Sequence, residues 1–338
     1  YKTLSKRYAN IMLEFSLACQ ITDRTRALVD GRVSVGGCRI NFVHGPAEEL
    51  FQRAFRHEEF DISELSLGTH LLTTARGQSR YIGVPAFVSR SFRHSAIYVR
   101  ADHGINSAEE LRGRKVGVPD FQQTAGVWVR GFLDDEHGVR TRDVHWFTGG
   151  LEQAGRQVRM PLDLPPDISI VPIDSDATLS KLLDSGDIDA IIAPRPPSCF
   201  GHNPNVRRLF PHFREAEEAY FTKTRLFPLM HIIGIRRSLV ERYPWLPVNV
   251  FAAFVKAKEA AMTELTITDT LRITHPWINA EVERVKALMG DDYWRYGLDA
   301  NRPELAALQR YARTDGLIGQ EVPLEQLFAA TTFDGFKF

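Results

Sequence analysis

Across the first two thirds of this chain, short apolar runs alternate with stretches of helical periodicity, and no other feature narrows the fold as much. Met12–Ala18, Arg39–Val43, Asp61–Leu65, Tyr81–Phe87, Ser95–Val99, Lys115–Val118, Asp143–Thr148, Ile168–Val171, Ile188–Ala193 and Ile232–Arg236 read as strands. Between them, Thr22–Asp30, Ala47–Arg56, Leu71–Arg76, Ser107–Leu111 and Asp176–Asp184 read as helices. Leu50, Ala54 and Phe55 form one apolar stripe. Leu179, Leu182 and Leu183 form another, ending before Ser185-Gly186, a stop signal. Such alternation specifies an α/β protein whose mostly parallel sheets are covered by helices. From about Ser238 onward the pattern is helical, with Phe251, Phe254, Val255 and Lys258 at helix spacing.

At 338 residues the chain is long enough for two domains. Lys+Arg and Asp+Glu balance at 42 each, which removes the basic field that a nucleic-acid binder needs. Of the cations 33 are Arg and 9 are Lys, a balance that suits surface pairing and also local clamping of carboxylates. No apolar stretch reaches the roughly 20 residues of a membrane span. The run Ile11–Cys19 contains Glu14 and lacks a basic flank and cleavage site, so it does not read as a signal peptide. Cys19, Cys38 and Cys199 are an odd set without a CxxC pair, which fits free thiols in a reducing, cytoplasmic setting. The 11 histidines show neither HxH nor HExxH spacing, and GxGxxG and GxxxxGK[ST] are absent. No metal or nucleotide is therefore expected, and homo-oligomer assembly is left open.

Longer stretches carry a resemblance. The order strand, helix, strand, then Leu111-Arg112-Gly113-Arg114-Lys115-Val116-Gly117-Val118 resembles a type II periplasmic binding protein, in which two α/β lobes joined by two crossing strands close on a ligand. The resemblance implies one lobe of residues 1–97 with 232–338 and a second of 98–231. Phe60-Asp61-Ile62-Ser63-Glu64-Leu65-Ser66-Leu67, Ser89–Val99, Pro228-Leu229-Met230-His231 with Arg236-Arg237, and Gly290–Leu298 with Asn301-Arg302 are similar to the 4,5-dihydroxyphthalate decarboxylase family. That likeness runs in order through nearly the whole chain. It implies a cofactor-independent carboxy-lyase acting on a small aromatic carboxylate and giving 3,4-dihydroxybenzoate and CO2. A solute-binding protein of an ABC transporter is the alternative, needing the same clamps but no proton chemistry. A relative making the thiamine pyrimidine would need a cysteine-rich segment that is missing.

Decarboxylation of a phenolic acid needs a base for the hydroxyl, an acid for the ring carbon and fixed cations for the carboxylates. Open α/β sheets place ligands beyond the carboxyl ends of their strands. Arg24 lies just past the first strand and is a candidate clamp. Glu64 ends the third strand and His70 opens the following helix; either can serve as base, against plainer roles as helix cap and core histidine. Arg90, Arg93 and His94 crowd the first crossing, His94 as a candidate acid. Gln122, Gln123 and Thr124 open a helix whose N–H groups form an anion site. Arg195 is a candidate clamp between prolines, and His231 precedes the second crossing. Convergence of these residues is the expectation to be met.

Overall fold

A computed structural model describes residues 12–155 and 160–333. The strands are β1 (Leu13–Ala18), β2 (Cys38–Val43), β3 (Ile62–Ser66), β4 (Tyr81–Arg90), β5 (Ile97–Arg100), β6 (Lys115–Val118), β7 (His145–Thr148), β8 (Ile170–Pro172), β9 (Ala190–Ile192), β10 (Val206–Arg208) and β11 (Leu229–Arg236). They form two mixed sheets, one ordered β2-β1-β3-β11-β4 and the other β10-β5-β9-β6-β7-β8. β1 runs parallel to β2 and β3, and β6 runs parallel to β7 and β9. The returning strands β5 and β11 are antiparallel to their neighbours. The chain therefore passes from the first sheet to the second between β4 and β5 and returns between β10 and β11.

All ten strands expected from the sequence are present within a few residues. β10 was not expected. Val206-Arg207-Arg208 is an edge strand too short and too charged to announce itself, and it pairs antiparallel with β5. The segment expected as a helix at Ser107–Leu111 is a 3-10 turn at Ala108–Leu111, capped by Ser107 and Glu110.

The helices that matter for the cleft are α1 (Asp23–Val29), α2 (Ala47–His57), α3 (Leu67–Ala75) and α4 (Thr124–His137), each following a strand. Later come α5 (Leu179–Ser185), α6 (Phe213–Thr224), α7 (Arg237–Arg242), α8 (Leu246–Glu264), α9 (Ile278–Met289), α10 (Arg302–Thr314) and α11 (Leu324–Leu327). Among the described residues no helix is long and apolar enough to cross a membrane.

The last third is not a passive cover. α10 lies against α4 of the second sheet, where Tyr311 occupies the space over Gly131. A Cβ at Gly131 would meet that ring at 2.3 Å. Beside it, buried Arg130 pairs with buried Asp315 at 2.7 Å, and Arg310 grips Asp135 at 2.6 Å. These pairs tie the C-terminal third to α4 of the second sheet.

Candidate functional site

β3 and β11 build the centre of the site by register alone. His231 faces Ser66 across this antiparallel pair, and Glu64 faces Ile233. Side chains two residues apart on a strand share a face, so Glu64, Ser66 and His231 project together. Glu64 Oε1 lies 2.6 Å from His231 Nδ1. Its other oxygen, Oε2, accepts the Gln20 N–H at 2.8 Å. An ionised carboxylate only accepts hydrogen bonds, so Nδ1 carries the hydrogen and Nε2 is left for the cleft. The Phe51 ring meets the imidazole edge-on at 4.8 Å and fixes its tilt. Glu64 is buried while His231 retains 19% side-chain exposure, so the pair has a covered half and an open half.

The open half faces a cavity of about 320 Å³ lined by residues of both sheets, a volume in the range of small-molecule sites. Gln20, Phe51, Ser66, Met230 and His231 come from the first sheet and its helices, and Gln123, Thr124, Pro194 and Arg195 from the second. Arg93, on the crossing between β4 and β5, completes the wall. The openings of α2 (Pro46, Ala47, Glu48) and α4 (Gln123, Thr124, Ala125) both border this cavity, and helix N-termini favour anions. Thr124 also stitches the two halves: its Oγ1 lies 3.0 Å from Ser66 Oγ and accepts the Gly68 N–H at 2.9 Å.

The cations of the cavity differ in character. Arg93 is largely buried, makes no ion pair within 4.0 Å among the described residues, and its Nε is buried without a hydrogen-bond partner. Burial pulls its guanidinium down to about 10, opposed by the Glu217 carboxylate. A buried guanidinium in this condition is costly unless an anion joins it. Arg195 is the opposite case, 71% exposed and 3.8 Å from Glu48 across the cavity mouth. A larger space of about 650 Å³, lined by Glu48, Glu49, Glu152 and Arg195, continues outward from that mouth.

Five of the expected site residues lie elsewhere. Arg24 turns from the cleft to stack on Trp294 at 4.0 Å and to donate to Val88 O and Asp23. Arg90 is fully buried in a pair with Glu304 at 2.9 Å and donates to the Phe227 carbonyl. His70 is a core histidine: Nε2 is 2.9 Å from Leu327 O, and burial lowers it to about 4. His94 stacks on Phe132 at 4.2 Å, and burial likewise lowers it to about 4, which leaves it uncharged at neutral pH. Gln122 is buried beneath the start of α4 with neither amide atom bonded to a described residue. Gln123, Thr124, Arg93, Arg195, Glu64 and His231 are the expected residues that the fold brings together.

Gln20, Phe51 and Glu48 join them without having been anticipated. A backbone N–H at the end of β1 and an aromatic on a helix stripe carry no distinguishing sequence signal. Glu48 had one, an acidic residue in a helix's first turn. Cys19, beside this site, is pushed up to about 12 by burial and by Glu64, so it is a thiol and not a thiolate at neutral pH. Among the described residues no three His, Cys, Asp or Glu side chains are grouped to hold a metal ion.

Comparisons with known proteins identify the family and the fold. Residues 21–160 match a family described as "ABC transporter, phosphonate, periplasmic substrate-binding protein". A Comamonas testosteroni protein named 4,5-dihydroxyphthalate decarboxylase is 41% identical over 327 residues, covering 96% of this chain and 99% of that protein. A Pseudomonas putida protein of the same name is 48% identical over 200 residues, covering 59% of this chain and 77% of that protein. Among solved structures, the periplasmic aliphatic sulphonate binding protein SsuA from Escherichia coli is similar in fold. Its TM-score is 0.52 at 13% identity, covering 95% of this chain and 98% of that one.

Proposed function

The chain belongs to the 4,5-dihydroxyphthalate decarboxylase family, and from that premise we propose that it converts 4,5-dihydroxyphthalate to 3,4-dihydroxybenzoate and CO2 in the cleft between its two sheets. The observation that carries this reading is a carboxylate-backed histidine, Glu64–His231, whose imidazole lines the same cavity as the partly buried cation Arg93. A protein that only captures a solute needs the cation but has no use for an oriented acid.

In this reading Arg93 and the opening of α4 hold the carboxylates, and Arg195 closes over the mouth. The substrate is its own electron sink. The hydroxyl para to the leaving carboxylate gives up its proton to solvent water at the mouth, and its electron pair moves into the ring. The ring carbon bearing that carboxylate takes a proton that solvent has first placed on Nε2 of His231. The carbon–carboxylate bond then breaks, CO2 departs, and the bonding pair restores aromaticity. Glu64 balances the charge on the imidazole while it holds that proton, a role in which positioned acids contribute roughly 10²–10⁴ in rate. The substrate's symmetry makes its two carboxylates equivalent, so either orientation gives the same product.

The same reading takes residues 1–97 with 232–338 as one lobe and 98–231 as the other, a division that sheet membership supports. It sets the reaction in the cytoplasm, in keeping with three cysteines that are all free and buried. The decisive experiment is incubation of purified protein with 4,5-dihydroxyphthalate, following CO2 and 3,4-dihydroxybenzoate with and without a chelator. Turnover in both conditions is expected. Tight binding without turnover would favour the solute-binding alternative, which the periplasmic family match keeps in view.

A further inference from the structure

We propose that Glu217 is a proton acceptor coupled to the cleft: when a ligand carboxylate settles on Arg93, Glu217 takes up a proton from solvent. The inference rests on the reading of the cleft as an aromatic dicarboxylate site and adds a linkage that reading does not contain.

Glu217 sits on α6, behind the crossing segment whose Arg93 lines the cleft. Its Oε1 accepts the Ser95 N–H at 3.4 Å. No cation lies within 4.0 Å of it among the described residues, so it is a half-buried carboxylate without a contact ion pair. Two guanidinium groups act on it from a distance, Arg93 on the crossing segment and Arg208 on β10. Arg208 is itself engaged, donating to Ser95 O at 3.2 Å and lying over the Phe200 ring. The remaining polar neighbours are accounted for. His94 is stacked and neutral, and Tyr98 on β5 holds its proton because burial raises it. On α6 itself, Arg214 and Glu218 pair with one another and with Glu281 and Arg284 of α9.

Burial raises Glu217 to about 7, with the Ser95 and His94 N–H groups and then Arg93 favouring the ionised form. In the free protein near neutrality it is therefore poised between its two states. A ligand carboxylate on Arg93 brings a negative charge that offsets the positive field favouring ionised Glu217. The change acts toward protonation. By linkage, ligand affinity then rises as pH falls through neutrality, by at most about tenfold per pH unit for one coupled proton.

The test uses phthalate, which has the two carboxylates but no hydroxyl to drive decarboxylation, so binding is read without turnover. Calorimetric titration at pH 7 in two buffers of different ionisation enthalpy gives the protons taken up. Uptake of up to about half a proton is expected for the wild type, because the group is about half titrated there. Glu217→Gln should bind phthalate with about half a proton less uptake than the wild type and with a Kd that changes less between pH 6 and 8, any uptake at His231 being common to both proteins. Binding with no buffer-dependent heat, or uptake in Glu217→Gln equal to that of the wild type, overturns the inference and leaves the cleft reading standing. Failure of both phthalate and 4,5-dihydroxyphthalate to bind overturns the cleft reading and the inference with it. Should Glu217→Gln not fold, infrared difference spectra of wild-type protein carrying carbon-13 glutamate decide the matter. A labelled protonated-carboxyl band gained on adding phthalate supports the linkage, and its absence sinks it.

Discussion

Glu64 and His231, 167 positions apart in the chain, meet with Oε1 2.6 Å from Nδ1 because β11 returns antiparallel to β3 and sets both side chains on one sheet face. The carboxylate is buried and the imidazole half open, so the pair has one protein-facing and one cleft-facing nitrogen. Function follows from that asymmetry.

Glu64→Gln should therefore slow catalysis far more than it weakens binding. The amide can donate toward Nδ1, which moves the imidazole hydrogen to Nε2 and removes the charge that balances a protonated ring. A fall in kcat of roughly 10²–10⁴ is expected, with KM little changed. Steady-state CO2 release measures both. Unchanged turnover would take Glu64 out of the proton path.

Arg93 and Arg195 should separate in the same assay. Arg93 is partly buried, with its Nε buried and unpartnered and no ion pair among the described residues, so a carboxylate there gains a largely desolvated, charge-assisted contact. Truncating one partner of such a contact costs about 2–5 kcal/mol, roughly a 30- to 4,000-fold loss in affinity. Arg195 is 71% exposed, and exposed charge pairs contribute about 0–1 kcal/mol. Arg195→Ala should thus raise KM by less than about tenfold. Equal effects from the two alanine variants would contradict this assignment.

The fold and the site were legible to different depths, for a physical reason. Strand runs such as Tyr81–Phe87 and Lys115–Val118 are apolar because helices cover both faces, so local sequence reports them directly. Orientation of a polar residue at a strand end depends on what packs there from elsewhere. Arg24 is taken by Trp294, Arg90 by Glu304 and His70 by the Leu327 carbonyl, all three from the C-terminal third. That third reads only as helix, so these captures could not be foreseen. Glu64 and His231 were legible as candidates, whereas their contact depends on the register of two strands far apart in sequence.

The Arg90–Glu304 pair gives a stability prediction that is independent of catalysis. Both side chains are completely buried, Glu304 also receives Arg295 at 3.3 Å, and Arg90 bonds the Phe227 carbonyl just before β11. Glu304→Gln leaves a buried guanidinium without its counter-charge, a change that costs about 3–5 kcal/mol. A lower urea midpoint is expected, with activity per folded molecule retained in the absence of urea. The double variant Arg90→Met with Glu304→Leu should recover much of the loss, because both charges leave the core together. A double variant no more stable than Glu304→Gln would show that the pair does more than satisfy itself.

His70 and His94 set the acid limit of the fold. Burial lowers both to about 4, whereas in the unfolded chain each titrates near 6.5. Between those values the unfolded state binds protons that the native state refuses, so stability falls as pH drops. The loss begins near pH 6.5 and is complete below about pH 4, with each histidine contributing at most about 1.4 kcal/mol per pH unit within that window. His94 is the more tractable of the two, since its ring stacks on Phe132 at 4.2 Å and makes no hydrogen bond through Nδ1. His94→Phe keeps the aromatic stack and removes the titration. Urea midpoints measured at pH 7, 5.5 and 4.5 should therefore fall less steeply in His94→Phe than in the wild type. The two proteins should differ least at pH 7, where the wild-type imidazole is already neutral in both states. Parallel pH slopes would show that His94 is not among the groups that charge on unfolding.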